Sequence, residues 1–242
     1  MKKLAALLLS AFWFAAGASA SAQDDEIIVT GSRISSYESD TVPVIHLNRR
    51  ADFMVIEVIV ESDSRDAKVR KDEVFKALTA LADRADRDQR IDLGIRRTFE
   101  TDNDEMQVVE PFSRNSIRDE ILSGGARVDT SRAIVVAKTP IDAGDTFDAA
   151  HARLTAFIKG AVVNGRATVT ENDDPGLSIV DIGQYRTALL TMLAADNKAV
   201  RSVFGDEYKV SISGLEQPVR WRVTGPLDLA IYFPYLSSTA PN

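Results

Sequence analysis

Cysteine is absent from the 242-residue chain, and histidine occurs only as His46 and His151. The first absence excludes a disulfide framework, a thiolate zinc site, a cysteine nucleophile and a lipid-modified cysteine anchor, so the core alone must hold the fold. The second leaves no H-E-x-x-H or comparable spacing, and a histidine metal site would have to recruit carboxylates from across the fold. Basic tracts never exceed two residues. Lys and Arg total 29 against 36 Asp and Glu, a formal charge of −7. No nucleic-acid partner is expected, because phosphate neutralisation needs clustered basic side chains. Nucleophile elbows of the G-x-S-x-G kind are missing too, and no pair of carboxylates stands out from the general acidity. These patterns imply no cofactor.

Long apolar runs are scarce, and the one at the start is informative. Met1-Lys2-Lys3 is followed by the uncharged stretch Leu4 to Ala18, which is short of the roughly 20 residues of a membrane span. It ends in small residues, and both Ala18-Ser19-Ala20 and Ala20-Ser21-Ala22 fit an A-x-A cleavage site. Residues 1–22 are therefore expected to be a secretory signal peptide, and no membrane span is expected after cleavage. Loss of Lys2 and Lys3 takes the charge two units further, to −9. The expectation is a periplasmic protein of about 220 residues, enough to bury a sizeable core.

Residues 23–50 are polar and interrupted by Pro43, which predicts a flexible N-terminal arm with an edge strand around Val42 to Leu47. Order is expected from residue 51 to 242. Phe53 to Val60 (FMVIEVIV) reads as a strand with Met54, Ile56, Val58 and Val60 on one face and Glu57 interrupting the other. Ser64 is placed to cap the next helix, with Asp66 in its first turn and Val74, Leu78, Leu81 and Ala85 as its apolar stripe. The alternating charges of residues 83–88 read as a solvated helix end. Residues 91–100 and 105–111 predict a hairpin, and residues 128–139 another strand. Between them, Ser123-Gly124-Gly125 is too short for a phosphate loop. Asp145 is expected to open a second helix with Phe147, Ala150, Leu154, Phe157 and Ile158 inward. Asn164-Gly165 turns the chain into a strand at 167–170, with another short one at 177–180. A third helix is predicted from Gln184 to Phe204, stopped by Gly205. Strands at 208–212, 219–223 and 229–235 complete an α+β fold, a mixed or antiparallel sheet with about three helices packed on it.

Several segments, "VIEVIVES" at 55–62, "VFKALTAL" at 74–81, "TSRAIVVAKTPI" at 130–141 and "AADNKAVRSVFG" at 194–205, together resemble the SIMPL family, the DUF541 domain of secreted bacterial proteins. The resemblance runs from about Phe53 to Ile212. It implies a SIMPL-like α+β domain, a non-enzymatic protein of the periplasm or envelope, links to oxidative-stress or envelope functions, and self-association in some members. The chain departs from the family in keeping only Pro111-Phe112 of its aromatic, proline-rich tract and in adding a tail beyond Gly214.

Farther upstream, Asp24 to Ile34 (DDEIIVTGSRI) resembles the energy-coupling box and early plug of TonB-dependent outer-membrane receptors, with their "EIVVTGSRI". That resemblance makes Glu26, Ile27, Ile28, Val29 and Thr30 candidate partner-binding residues that would engage TonB by strand addition. A whole receptor barrel is excluded, because about 220 residues without a ladder of alternating ten-residue strands cannot build one.

Within the body, Asp196 projects onto the apolar face of the third helix. It is either a buried functional acid or, as the simpler account, a cap where the helix breaks or the partner of an arginine such as Arg132. His151 borders the second helix's stripe and reads as a packed side chain. On a strand, Arg220 and Arg222 share one face and Trp221 takes the other. This makes either a partner surface or, more simply, a buried indole with solvated arginines. Tyr232, Phe233 and Tyr235 read as core and rim aromatics. Three functions follow as expectations: binding or assembly in the envelope through a protein partner or self-association, a TonB-engaging accessory role, and a hydrolase with an acidic site.

Overall fold

The computed structural model describes residues 26–29, 42–101, 104–124, 127, 129–172 and 174–242. The expected signal peptide, Thr30 and most of the expected arm lie outside them.

Strand β3 (Phe53–Ser62) is the axis of the molecule. Its β-branched residues favour a pleated, two-sided environment, and it receives one. Along one edge it pairs antiparallel over ten registers with β7 (Ser131–Pro140), from Phe53↔Pro140 to Ser62↔Ser131. Its other edge is shared by β9 (Gly176–Val180), at residues 53–55, and β8 (Ala167–Glu171), at residues 58–62. A long hairpin, β4 (Asp92–Thr101) and β5 (Asp104–Pro111), joins β7 through Asp92↔Lys138 to Gly94↔Val136. Short β6 (Leu122–Gly124) covers the far end of β7.

Glu26–Val29 forms strand β1 and lies between β9 and β5. The pairings β3–β7–β4–β5–β1–β9–β3 therefore close into a circuit of six antiparallel strands, with β1 as the piece that joins its two ends.

Two helices cover one face of this sheet. Helix α1 (Ala67–Ala85) buries Val74, Leu78 and Leu81, and α2 (Phe147–Lys159) buries Leu154, Phe157 and Ile158. Both meet Met54, Ile56, Val58 and Val60 of β3 in the main core, as the spacing predicts. Their caps differ from expectation. Asp66, not Ser64, accepts from the Val69 N–H (3.0 Å), and Thr146, not Asp145, accepts from the Ala149 N–H (3.2 Å). On the opposite face, Val55, Val109 and Val136 form a second, smaller cluster with Phe53 against it. An ion pair between Arg96 of β4 and Glu57 of β3 (3.0 Å) spans the intervening β7.

Helix α3 (Arg186–Phe204) follows a short 3-10 turn. It buries only Leu189 and Leu193, while Met192, Val203 and Phe204 are exposed. Beyond Gly205, at φ 79°, β10 (Tyr208–Ser213) pairs with β13 (Leu236–Pro241) in a two-stranded ribbon. A three-stranded sheet is built from β11 (Arg220–Val223), β12 (Asp228–Tyr232) and β2 (His46–Arg50). Its Leu229 and Ile231, and the adjoining Phe233, belong to the main core. The α+β class with three helices on antiparallel sheets is thus the observed one, and β2 is an edge strand three or four residues later than expected.

Candidate functional site: a strand slot and the cavity beside it

The most distinctive construction is the slot that β1 fills. Edge strands offer unpaired N–H and C=O groups to any extended segment of suitable register. Here β9 pairs with β1 from Glu26↔Val180 to Val29↔Leu177, and β5 pairs through Ile27↔Val108. β9 is firmly placed. Val180 N–H donates to Asp52 Oδ2 (2.9 Å), Asp52 N–H donates to Ser178 O (3.0 Å), and Asp52 is ion-paired with Arg49. The slot is therefore a product of the body, and Glu26–Val29 behaves in it as a donated strand.

Val108 and Val180, the two register partners at the Glu26 end, also line a cavity of about 690 Å³. Its floor is apolar and aromatic, with Phe53, Ile91, Leu93, Val109 and Phe112. Its rim carries Asp86, Asp88, Asp92 and Glu110, and Lys138 is the one cation among the described lining residues. The Lys138 ammonium sits 4.5 Å from the centre of the Phe53 ring, a cation–π contact. Asp86 is the C-cap of α1, so its carboxylate adds to the negative end of the helix dipole. Nearby arginines face other partners. Arg84 donates to Gly160 O (2.9 Å), Arg90 pairs with Asp142 (2.8 Å), and Arg114 pairs with Asp83. Of the rim groups, Glu110 has a guanidinium partner among the described residues, that of Arg97 (3.2 Å).

Elsewhere the anticipated residues are dispersed. Asp196 is half-buried on α3, not the fully buried acid anticipated. His151 stacks on Phe147 (ring centroids 5.9 Å apart), and His46 Nδ1 lies 2.8 Å from Pro43 O. Neither Asp196 nor His151 lines the cavity. Arg220, Trp221 and Arg222 sit on the outer strand of the three-stranded sheet, all half-buried, with Trp221 packed against the main core. Tyr232 and Phe233 are buried and Tyr235 is half-buried. Among the described residues, no group of three or more His, Asp or Glu is arranged to hold a metal ion, and no helix is long and apolar enough to cross a membrane.

The acidic rim is hidden, in sequence, within the charge run at residues 83–88. Only the approach of β5 and Phe53 turns that helix end into the wall of a cavity. Fold and site together define an antiparallel α+β protein with a strand-accepting slot. No family model, curated protein or solved structure matches the chain.

Proposed function

We propose that this is a non-enzymatic, SIMPL-like protein of the periplasm, exported by residues 1–22, that acts by binding or assembly in the cell envelope. The observation that carries the reading is the placement of Glu26–Val29 as a donated strand between β9 and β5. A slot of this kind recognises main chain first and side chains second, which is the chemistry of strand addition. The leader-like start, the family-like segments and the acidic composition support the same reading.

The test uses mature protein beginning at Gln23 and a version beginning at Val42, which keeps β2 and lacks β1. Size-exclusion chromatography with light scattering is expected to give a defined oligomer for the mature chain. A synthetic peptide of residues 24–34 is expected to bind the shortened protein saturably and the mature protein far less. Monomers in both forms, together with no peptide binding, would overturn the proposal.

A second reading rests on the extended, strand-paired conformation of Glu26–Val29 within the TonB-box-like segment. A segment of that conformation is suited to strand addition, so it would be handed to the TonB periplasmic domain. That reading requires a complex of TonB with mature protein that disappears on removal of residues 23–41.

A further inference from the structure

The cavity beside the slot has a composition that selects its ligand. We propose that it binds an organic cation, an ammonium or guanidinium group carried on an apolar body.

Three features combine. The volume of about 690 Å³ lies within the range of small-molecule sites, roughly 300–1,000 Å³. The floor of Phe53, Leu93, Val109 and Phe112 removes apolar surface from water. Above it stand the carboxylates of Asp86, Asp88, Asp92 and Glu110 and the carbonyl end of α1, against one lysine. The aromatic floor already carries a cation in this structure, since the Lys138 ammonium rests on the Phe53 face. An anion in the same place would meet Asp86, Asp88 and Asp92, which have no ion-pair partner among the described residues, while Glu110 is paired with Arg97. A neutral apolar molecule would gain nothing from the carboxylates of Asp86, Asp88 and Asp92.

The experiment is calorimetric titration of mature protein with phenethylammonium, with 3-phenylpropionate as a near-isosteric anion and an acetyl-Leu-Lys-Leu-amide peptide as a side-chain source of the same cation. The Asp88→Asn/Asp92→Asn protein is titrated in parallel, and its melting temperature serves as the check on folding. Saturable binding of phenethylammonium is expected, weakened about tenfold or more in the double variant and by added salt. The carboxylate should not bind. Binding confined to the peptide would support the cation site and assign its source to a protein side chain. Equal binding of cation and anion, unchanged affinity in a folded double variant, or no binding by either cation would overturn the proposal.

Discussion

Asp145 shows how one side chain ties three parts of the fold. Arg153 donates to both its oxygens, Nη1 to Oδ1 at 2.8 Å and Nη2 to Oδ2 at 2.7 Å, and also to Pro140 O (2.9 Å) and to the buried Thr139 Oγ1 (3.2 Å). The Asp142 N–H donates to Asp145 as well (2.9 Å). Hydrogen bonding from Arg153, more than any other influence, holds the Asp145 carboxyl well below the usual carboxylate range. Asp145→Asn leaves a half-buried guanidinium without its countercharge and is expected to cost about 2–3 kcal/mol, read by urea denaturation. The unfolded pKa is about 3.9 and the folded one is lower. The contribution of the ionised group is therefore full above about pH 5 and fades as the pH falls through the folded value. The gap between wild type and variant should be flat from about pH 5 to 8 and narrow below about 4; a gap that widens in acid contradicts the assignment. The two misplaced caps share a cause at this scale. Ser64 and Asp66, like Asp145 and Thr146, are near-neighbours that both satisfy a capping pattern, and spacing alone does not rank them. The residue not used as a cap makes a tertiary bond instead: Ser64 Oγ donates to Glu73 Oε2 (2.8 Å), and Asp145 accepts from Arg153.

Elements with a clean hydrophobic period are legible in the sequence itself. β3, α1 and α2 each turn inward the stripe their spacing specifies, with Ala85 and Phe147 half-buried at the helix ends. Elements that rely on a neighbour are not. β13, "LSSTAP", has no alternation and is exposed at all six positions, held by its pairing with β10. The apolar residues at the end of α3 suggest burial, yet Val203 is 81% exposed and Phe204 51%. A two-stranded ribbon is marginal in water, so amides of β10 and β13 should exchange with solvent well before those of β3 and β7. Truncation after Tyr235 should lower global stability by no more than about 1 kcal/mol. A loss of several kcal/mol in urea denaturation would place the ribbon inside the main cooperative unit.

At the scale of the whole molecule, closure of the six-strand circuit depends on four residues from a segment that reads in sequence as a flexible arm. The letters Glu26 to Val29 announce β-capability; their destination depends on β5 and β9, which lie about 80 and 150 residues away. Ile27→Pro removes a ladder donor from a strand with neighbours on both sides. It is expected to cost about 3 kcal/mol, or about 6–12 °C in Tm for a chain of this size, and to raise the tendency to associate as two edges are bared. An unchanged Tm would show that β1 contributes nothing to the folded state. The same circuit sets an order of events during synthesis. The segment that closes the sheet leaves the ribosome first, whereas β9 is complete only when residue 180 has been added. Until residue 111 the growing chain carries a strand donor with neither acceptor, and from there to residue 180 with β5 alone, so a chaperone or a neighbouring unfinished copy has its opportunity before the molecule can shut itself.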